Sequence, residues 1–235
     1  MEKGTLYLIP CPIGDTPPYD VLPERNREII GTIDYFIVEN IRSARRFLSK
    51  AGIGRPIDSL EFVELNEHTP SEAVETLLAP LLAGRDAGII SEAGLPGIAD
   101  PGADAVRIAH RHGIRVKPLV GPSSLLLALM ASGLNGQSFA FNGYLPIKGP
   151  ERDRAIRMYE KRAVTEHQSQ LFIEAPYRNS ALFTRLIEVC AAETRLSIAV
   201  DLTTPQEWIK TLSIGEWRKK PAPDLNKRPA IFILG

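Results

Sequence analysis

The stretch RDAGIISEAGLPGIADPG, residues 85–102, decides how the rest of the chain is read. It opens on a short apolar run, 86–91, with the length and composition of a buried strand. Gly94, Gly97, Gly102, Pro96, Pro101, Glu92 and Asp100 then fall within twelve residues. Glycine lets other groups approach the backbone and proline fixes its path, so this stretch governs backbone geometry more than it supplies functional side chains. Open α/β sheets place their ligands at the carboxyl ends of parallel strands. The amides that open the next helix, 101–113, are suited to meet an acceptor there. Pro101 is placed as its first residue with Asp100 as cap, and Gly113 as the residue that ends it. A tight strand-to-helix connection rich in turn residues would carry the same composition.

Outward from that stretch, apolar runs of four to six residues alternate with helix-length amphipathic segments, the pattern of an α/β chain. Strands are expected at 4–9, 34–38, 59–63, 86–91 and 114–119, with helices at 20–31, 40–51, 70–83 and 101–113. The segment GPSSLLLALMASG, 121–133, reads as a helix apolar on every side and therefore buried. Further strands are expected near 138–143, 169–174, 195–200, 209–214 and 230–234, and helices near 150–163 and 177–191. The last strands follow one another through loops alone, which argues for a mixed sheet. Two α/β domains, 1–118 and 119–235, fit this layout.

Composition narrows the function classes. The chain has 235 residues, 44% of them hydrophobic and 24% charged, with a formal net charge of zero. Nucleic acid would therefore have to be held by local patches and not by the field of the whole molecule. Two cysteines, Cys11 and Cys190, make neither a disulfide framework nor a zinc site, which favours a reducing compartment. No apolar run approaches the roughly 18 residues of a membrane span, and the N-terminal apolar run is broken by Pro10. A soluble, cytoplasmic, metal-free protein is expected.

Familiar nucleotide motifs fail. The one G-x-G, Gly52 to Gly54, follows a helix and has Ile57 where a dinucleotide fingerprint needs glycine, and no Gly-Lys pair exists for a P-loop. His110 and His112 lie two apart on a helix and face different ways. Three other segments do sit at strand ends: LIPCPIGD (8–15), VENIR (38–42) and IEAPYR (173–178). They place Glu39, Glu92 and Glu174 on candidate cleft edges, although a glutamate at a strand end also serves as a rim residue or cap. Basic residues cluster at Arg42, Arg45, Arg46 and Lys50; from Lys148 to Arg162; and from Arg218 to Arg228. Such arginines suit a phosphate backbone when they border a cleft, and are otherwise solvated faces.

Taken in order, GTLYLIPCPIGD, VENIRSARRFL, SEAGLPGIADPG, VGPSSLLLALMASGL, FNGYLP and EAPYR resemble the tetrapyrrole (corrin/porphyrin) methylase superfamily. Within it the chain is most similar to the branch that methylates ribose 2′-hydroxyls of 16S ribosomal RNA. The pair AGLPGIADPG and GPSS is the most specific part, and the likeness runs from residue 4 to the end. It implies a class III methyltransferase fold of two α/β domains, the first sheet mostly parallel and the second mixed. S-adenosylmethionine would lie between the domains on backbone groups of glycine- and proline-rich loops. By position, Pro10, Ser91, Glu92, Ala93, Gly94, Ile98, Ser123 and Ser124 would contact it. Ala175, Pro176 and apolar positions near 143 would form the far wall. The resemblance also implies a homodimer, with ribosomal RNA or the small ribosomal subunit as partner.

The chain departs from the ribosomal branch at several polar positions. Glu-Asp-Thr-Arg becomes Glu39-Asn40-Ile41-Arg42, and Ser-Asp-Ala-Gly-Thr-Pro becomes Ser91-Glu92-Ala93-Gly94-Leu95-Pro96. Glu-Ser-Pro-His-Arg becomes Glu174-Ala175-Pro176-Tyr177-Arg178. The sequence also stops on its last expected strand, before the small C-terminal extension of that branch. A ribose hydroxyl is a weak nucleophile, so a base should assist it, and Glu39, Glu92 and Glu174 are the candidates, with His68 behind them. Arg42, Arg45, Arg46, Lys148 and Arg178 are the candidates for holding phosphate. Three readings remain open: an RNA 2′-O-methyltransferase, a methyltransferase for a small molecule such as a tetrapyrrole, and a non-catalytic module that binds S-adenosylmethionine or RNA.

Overall fold

Each expected apolar run forms a strand in the computed structural model, which describes residues 2–66 and 69–235. The first half runs β1 (Thr5–Ile9), α1 (Pro18–Val21), α2 (Glu24–Gly31), β2 (Tyr35–Val38), α3 (Ile41–Ala51) and β3 (Glu61–Glu64). It continues with α4 (Ser71–Leu77), α5 (Ala79–Leu82), β4 (Ala87–Ile90), α6 (Gly102–Arg111) and β5 (Arg115–Pro118). All five strands are parallel, in the order β3-β2-β4-β1-β5.

Alternation along the strands feeds two cores. Ile9, Phe36, Val38 and Ile90 pack with Ile30, Ala44, Leu48 and Ala51 of α2 and α3. Their neighbours Leu6, Tyr35, Ile37, Ala87 and Ile89 face the other way, onto Val74, Leu78, Leu81, Ala105 and Ile108 of α4 to α6. The sheet is therefore covered on both faces, as a parallel sheet requires. Adjacent β1 and β4 send their chains to opposite faces, so a crevice opens between their carboxyl ends.

The helices depart from expectation where proline intervenes. The segment 20–31 becomes two helices because Pro23 holds an extended backbone between them. The segment 70–83 becomes α4 and α5, with Pro80, which lacks an amide, near the start of the second. Strand β3 starts two residues later than expected, after a 3₁₀ turn at Ile57–Ser59. Pro101 sits one position before α6, and Gly113 (φ 61°) follows the helix in the left-handed conformation.

The second half runs α7 (Ser124–Ser132), β6 (Phe139–Tyr144), α8 (Gly149–Thr165), β7 (Ser169–Ile173), α9 (Asn179–Val189), β8 (Arg195–Val200), β9 (Trp208–Ser213), α10 (Ile214–Trp217) and β10 (Ala230–Leu234). The sheet order is β6-β7-β10-β8-β9, with β6 parallel to β7 and the other pairs antiparallel. Phe172, Phe232, Ile198 and Leu196 pack on Ile156 of α8, Phe183 and Leu186 of α9, and Trp217 of α10. Helix α7 takes the opposite face, where the Thr211 hydroxyl donates to the Ser132 carbonyl at 2.8 Å. The helix is not buried all round as its composition suggested: Ala128, Leu129 and Ser132 are buried, while Leu126 and Met130 are 46% and 79% exposed.

The chain divides into two compact units, Met1–Ser123 and Ser124–Gly235. That is five residues beyond the boundary at 118 read from the sequence. The segment 119–122 is tied to the first unit: Leu119 N donates to Leu8 O at 2.9 Å, and the Asn26 amide donates to Val120 O at 2.8 Å. No helix among the described residues is long and apolar enough to cross a membrane.

Candidate active site

At the carboxyl edge of the first sheet, three loops hold one another by backbone. Cys11 N donates to Gly94 O at 2.9 Å and Gly94 N returns a bond to Cys11 O at 3.2 Å, joining the loops after β1 and β4. The turn after β5 closes on the same point. A Cβ at Gly121 would lie 2.2 Å from Pro10 Cβ, so only glycine fits there. Gly94 has φ +70°, and a Cβ on it would meet Ile13 at 3.2 Å and the Pro122 carbonyl at 3.6 Å. A side chain at 94 would thus press on the loops themselves. Burial pushes the Cys11 thiol up to about 12, with the nearby charge of Glu92 adding to it, so Cys11 is an inert wall residue.

Asp100 organises the rest of the β4 loop. Its Oδ1 accepts from Gly97 N at 2.8 Å and from Gly102 N at 2.7 Å, so it caps α6 from two residues upstream. Oδ2 is buried without a partner. Burial raises the carboxyl above its ordinary value, against the pull of the two amide bonds. Ser91 is buried and donates to Ala93 O at 3.3 Å, while Ala93 is exposed and Ile98 offers an apolar surface 52% exposed. Small or apolar side chains over paired backbone make a bed suited to a ligand recognised through main-chain groups. Pro10 is buried, and Ser123 is half-buried at the end of the β5 turn.

Beside this bed lies a pocket of about 260 Å³, lined among others by Asp15, Ser43, Arg46, Phe47, Lys50 and Glu92. Two of the three expected glutamates converge at its edge. Glu92 N donates to Glu39 Oε2 at 3.3 Å, and the Ser43 hydroxyl donates to Glu92 Oε2 at 3.1 Å. Asn40 caps α3 by accepting from Ser43 N at 3.1 Å, which fixes the turn carrying Ser43. Lys50 Nζ meets Asp15 Oδ1 at 2.7 Å, and this bond holds the Asp15 carboxyl below the usual carboxylate range.

The basic cluster of α3 splits. Arg46 lines the pocket, whereas Arg45 turns to Asp58 and lies over the Phe62 ring, 5.6 Å from its centroid. The two are successive residues about 100° apart on a helix, so they cannot share a face. Arg42 is exposed in the first turn of α3. His68 lies outside the described residues.

In the second unit the strand-end glutamate is built differently. Glu174 follows β7 with its side chain only 1% exposed. Its Oε2 takes Arg152 Nη2 at 2.5 Å; its Oε1 takes Arg178 Nη2 at 2.7 Å and its own neighbour Ala175 N at 2.8 Å. A carboxylate buried to this degree and held by two guanidiniums and an amide is committed within the fold, so Glu174 does not fit the role of base expected for it. Arg178 is spent on the same pair and on stacking over Tyr177, 4.9 Å from the ring centroid. Pro176 is exposed and Ala175 half-buried at the head of the 3₁₀ turn Pro176–Arg178, and Ser124 opens α7. Lys148 is exposed at the start of α8, on a depression of about 430 Å³ that it shares with Arg152, Asp153 and Arg185.

Sequence reasoning missed Asp15, Thr16, Ser43 and Arg152. None sits at a strand end; Asp15, Ser43 and Arg152 are recruited by partners far along the chain, and Thr16 lines the pocket. Among the described residues no cluster of three or more histidine, cysteine or acidic side chains could hold a metal.

A model of the family described as tetrapyrrole (corrin/porphyrin) methylases matches residues 5–217. The ribosomal RNA small subunit methyltransferase I of Escherichia coli O157:H7 is 31% identical over 233 residues, covering 99% of this chain and 77% of that protein. The protein of the same name from Xylella fastidiosa is 32% identical over 232 residues, covering 98% of this chain and 80% of its own length. Among solved structures, the methyltransferase CobJ superposes with a TM-score of 0.63 at 15% identity, covering 98% of this chain and 93% of its own. Uroporphyrin-III C-methyltransferase of Thermus thermophilus, solved with S-adenosylhomocysteine, superposes with a TM-score of 0.57 at 18% identity, covering 99% and 97%. At such identities the structural likeness is one of fold. The family model, the curated relatives and the paired loops at the carboxyl edge of β1, β4 and β5 agree: the chain belongs to the tetrapyrrole (corrin/porphyrin) methylase family of S-adenosylmethionine-dependent methyltransferases.

Proposed function

We propose that the protein methylates a ribose 2′-hydroxyl of ribosomal RNA in the small ribosomal subunit. The observation that carries this reading is the meeting of Glu39 and Glu92 beside the backbone bed of the first unit. The curated relatives named above support the acceptor. The bed fits S-adenosylmethionine: its loops approach so closely that a Cβ at Gly121 would collide with Pro10, and they present Ala93, Gly94 and Ile98 in place of charged groups. When bound, this cofactor supplies a methyl group made electrophilic by its sulfonium. The protein's share is to hold the acceptor oxygen in line and to take its proton, which is worth orders of magnitude in rate without any covalent intermediate. Two carboxylates at the bed's edge serve that need, and the arginine of the pocket suits a phosphate backbone.

The test is transfer of a tritiated methyl group from S-adenosylmethionine to small ribosomal subunits from cells that lack the modification. Expected is label in RNA at a ribose that resists alkaline cleavage, because a methylated 2′-oxygen cannot attack the adjacent phosphate. Label on a base overturns the ribose assignment, and no label in RNA despite cofactor binding overturns the reading in favour of a small-molecule acceptor. We propose also that two copies work together, a reading supported by the exposed Leu126 and Met130 on apolar α7. Sedimentation at micromolar concentration should give a dimer.

A further inference from the structure

We infer that the pocket between the β1 loop and α3 receives the acceptor nucleotide itself, with Arg46 on its phosphate and Glu92 on its ribose hydroxyl. The inference rests on the RNA reading above and assigns the place where the acceptor sits.

Adjacency comes first. Ser91 and Glu92 belong both to the β4 loop and to this pocket; Ile90 of β4 and Pro18 of α1 also line it, and the rest of the lining comes from the β1 loop and α3. The pocket therefore shares Cys11, Ser91 and Glu92 with the loops of the cofactor bed and adjoins it, and an acceptor must abut its donor. At about 260 Å³ it has room for a sugar-phosphate, and the choice lies between a nucleotide and a carboxylated tetrapyrrole.

Charge decides between those two. A tetrapyrrole bearing several carboxylates would set them against Asp15 and Glu92. A nucleotide brings one anion and several hydroxyl donors, which match one arginine and one carboxylate. Lys50 is already balanced by Asp15, whose charge also reaches Arg46, but among the described residues no carboxylate lies within ion-pair distance of Arg46. Its planar fork is left to a phosphate, which it can meet with two parallel bonds.

A third observation points to a ligand independently. Thr16 lines the same pocket, and its Oγ1 is buried without a hydrogen-bond partner. A shielded hydroxyl left unpaired is unfavourable, and a phosphate or ribose oxygen in the pocket would satisfy it. Glu92 is aimed by Ser43, which occupies Oε2 and is itself set by the Asn40 cap. That leaves Oε1 to accept the hydroxyl proton. The ribose oxygen forms its bond to the methyl carbon as its proton passes to Glu92, and the electron pair of the broken methyl–sulfur bond stays on sulfur, leaving a neutral thioether.

The experiment measures steady-state methylation of unmodified small ribosomal subunits, with S-adenosylhomocysteine affinity by calorimetry for every variant. Arg46→Gln should raise KM for the subunit about tenfold with kcat little changed, the mark of lost ground-state binding. Arg45→Gln, one residue away but paired to Asp58, should change neither. Glu92→Gln should lower kcat about a hundredfold while KM and S-adenosylhomocysteine affinity hold, with part of the rate restored by Glu92→Asp. Arg46→Gln behaving like Arg45→Gln, or Glu92→Gln losing S-adenosylhomocysteine affinity, overturns the assignment even when the unaltered protein methylates RNA. If the unaltered protein binds S-adenosylhomocysteine and leaves RNA unlabelled, the RNA reading itself has failed, and the pocket assignment with it.

Discussion

The carboxyl edge of the first sheet and the carboxyl end of β7 in the second solve the same local problem with opposite chemistry. In the first unit the loops after β1, β4 and β5 are fastened by main-chain bonds and by glycines at points of closest approach. In the second unit the loop after β7 is fastened by charge, through Glu174 with Arg152 and Arg178. Arg185 with Asp153 and Arg228 with Asp201 add two further pairs in the same unit. A loop held by backbone keeps its surface small and uncommitted, ready for a ligand. One held by buried charge has used its functional groups on itself. Polar side chains at a strand end are therefore poor evidence of catalysis until their partners are known.

The largest expected effect comes from breaking the charged edge. Arg152→Ala leaves Glu174 buried with half its compensation and should destabilise the protein by about 3–5 kcal/mol. Both tryptophans, Trp208 and Trp217, lie in the second unit, so urea unfolding followed by tryptophan fluorescence reports on that unit. A double change, Arg152→Met with Glu174→Leu, should recover much of the loss, because it removes the charges together. If Arg152→Ala costs no more than a surface substitution, the loop after β7 is not held by charge.

Next in size is the backbone edge. Gly121→Ala forces a methyl into the space of Pro10, 2.2 Å away, and should cost about 1–3 kcal/mol through loop displacement. It should also weaken S-adenosylhomocysteine binding by more than about tenfold, since a displaced bed loses its alignment. Pro10→Gly in the same chain makes room and should restore part of both. Full affinity in Gly121→Ala would show that the cofactor does not depend on this contact.

These two edges also show what the sequence could carry. The parallel sheet was legible because each strand is a dense apolar run between turn residues, and the β4 loop because glycine and proline declare backbone geometry locally. Pro23 and Pro80 lie in plain view, yet the apolar period running through them outweighed them in reading single helices. The face of α3 was legible only in part: Arg45 and Arg46 look equivalent until Asp58, seen in the fold alone, claims the first. Glu174 was misread for the same reason. Its partner Arg152 is 22 residues upstream, and nothing in IEAPYR announces it. The apolar segment 121–133 reads as buried because composition records what a surface is, while only packing shows what covers it.

A smaller effect separates the units by pH. In the second unit the Arg185 guanidinium holds the Asp153 carboxyl below its ordinary value, and the Ser213 amide and hydroxyl do the same for Glu216. Lowered carboxyls contribute stability above the unfolded value, near 4, and lose it as pH falls through their folded values. The tryptophan-reported melting temperature should therefore fall between about pH 5 and pH 2. In Arg185→Gln that slope should be shallower, because Asp153 loses the largest cause of its lowering. An unchanged slope would mean that the pair does not take part in acid unfolding.

The smallest effect runs with the opposite sign in the first unit. Burial raises the Asp100 carboxyl, so the folded chain holds this proton to higher pH than the unfolded chain does. Stability from this group is then lost as pH rises from the unfolded value through the folded one, and at neutral pH the buried charge is a net burden. Asp100→Asn keeps an oxygen in the place that accepts from Gly97 and Gly102, and puts a neutral group where Oδ2 has no partner. The variant should match or exceed the parent at pH 7, by less than about 1 kcal/mol, since both amide bonds survive. The difference should vanish as pH falls below the unfolded carboxylate value, where the parent is protonated in both states. S-adenosylhomocysteine affinity should change less than twofold, because the loop path is set by the two amides and not by the charge. Should Asp100→Asn prove less stable than the parent at neutral pH, the charge itself holds the loop. The backbone edge would then depend on an ionised side chain after all, and the two edges would differ in degree and not in kind.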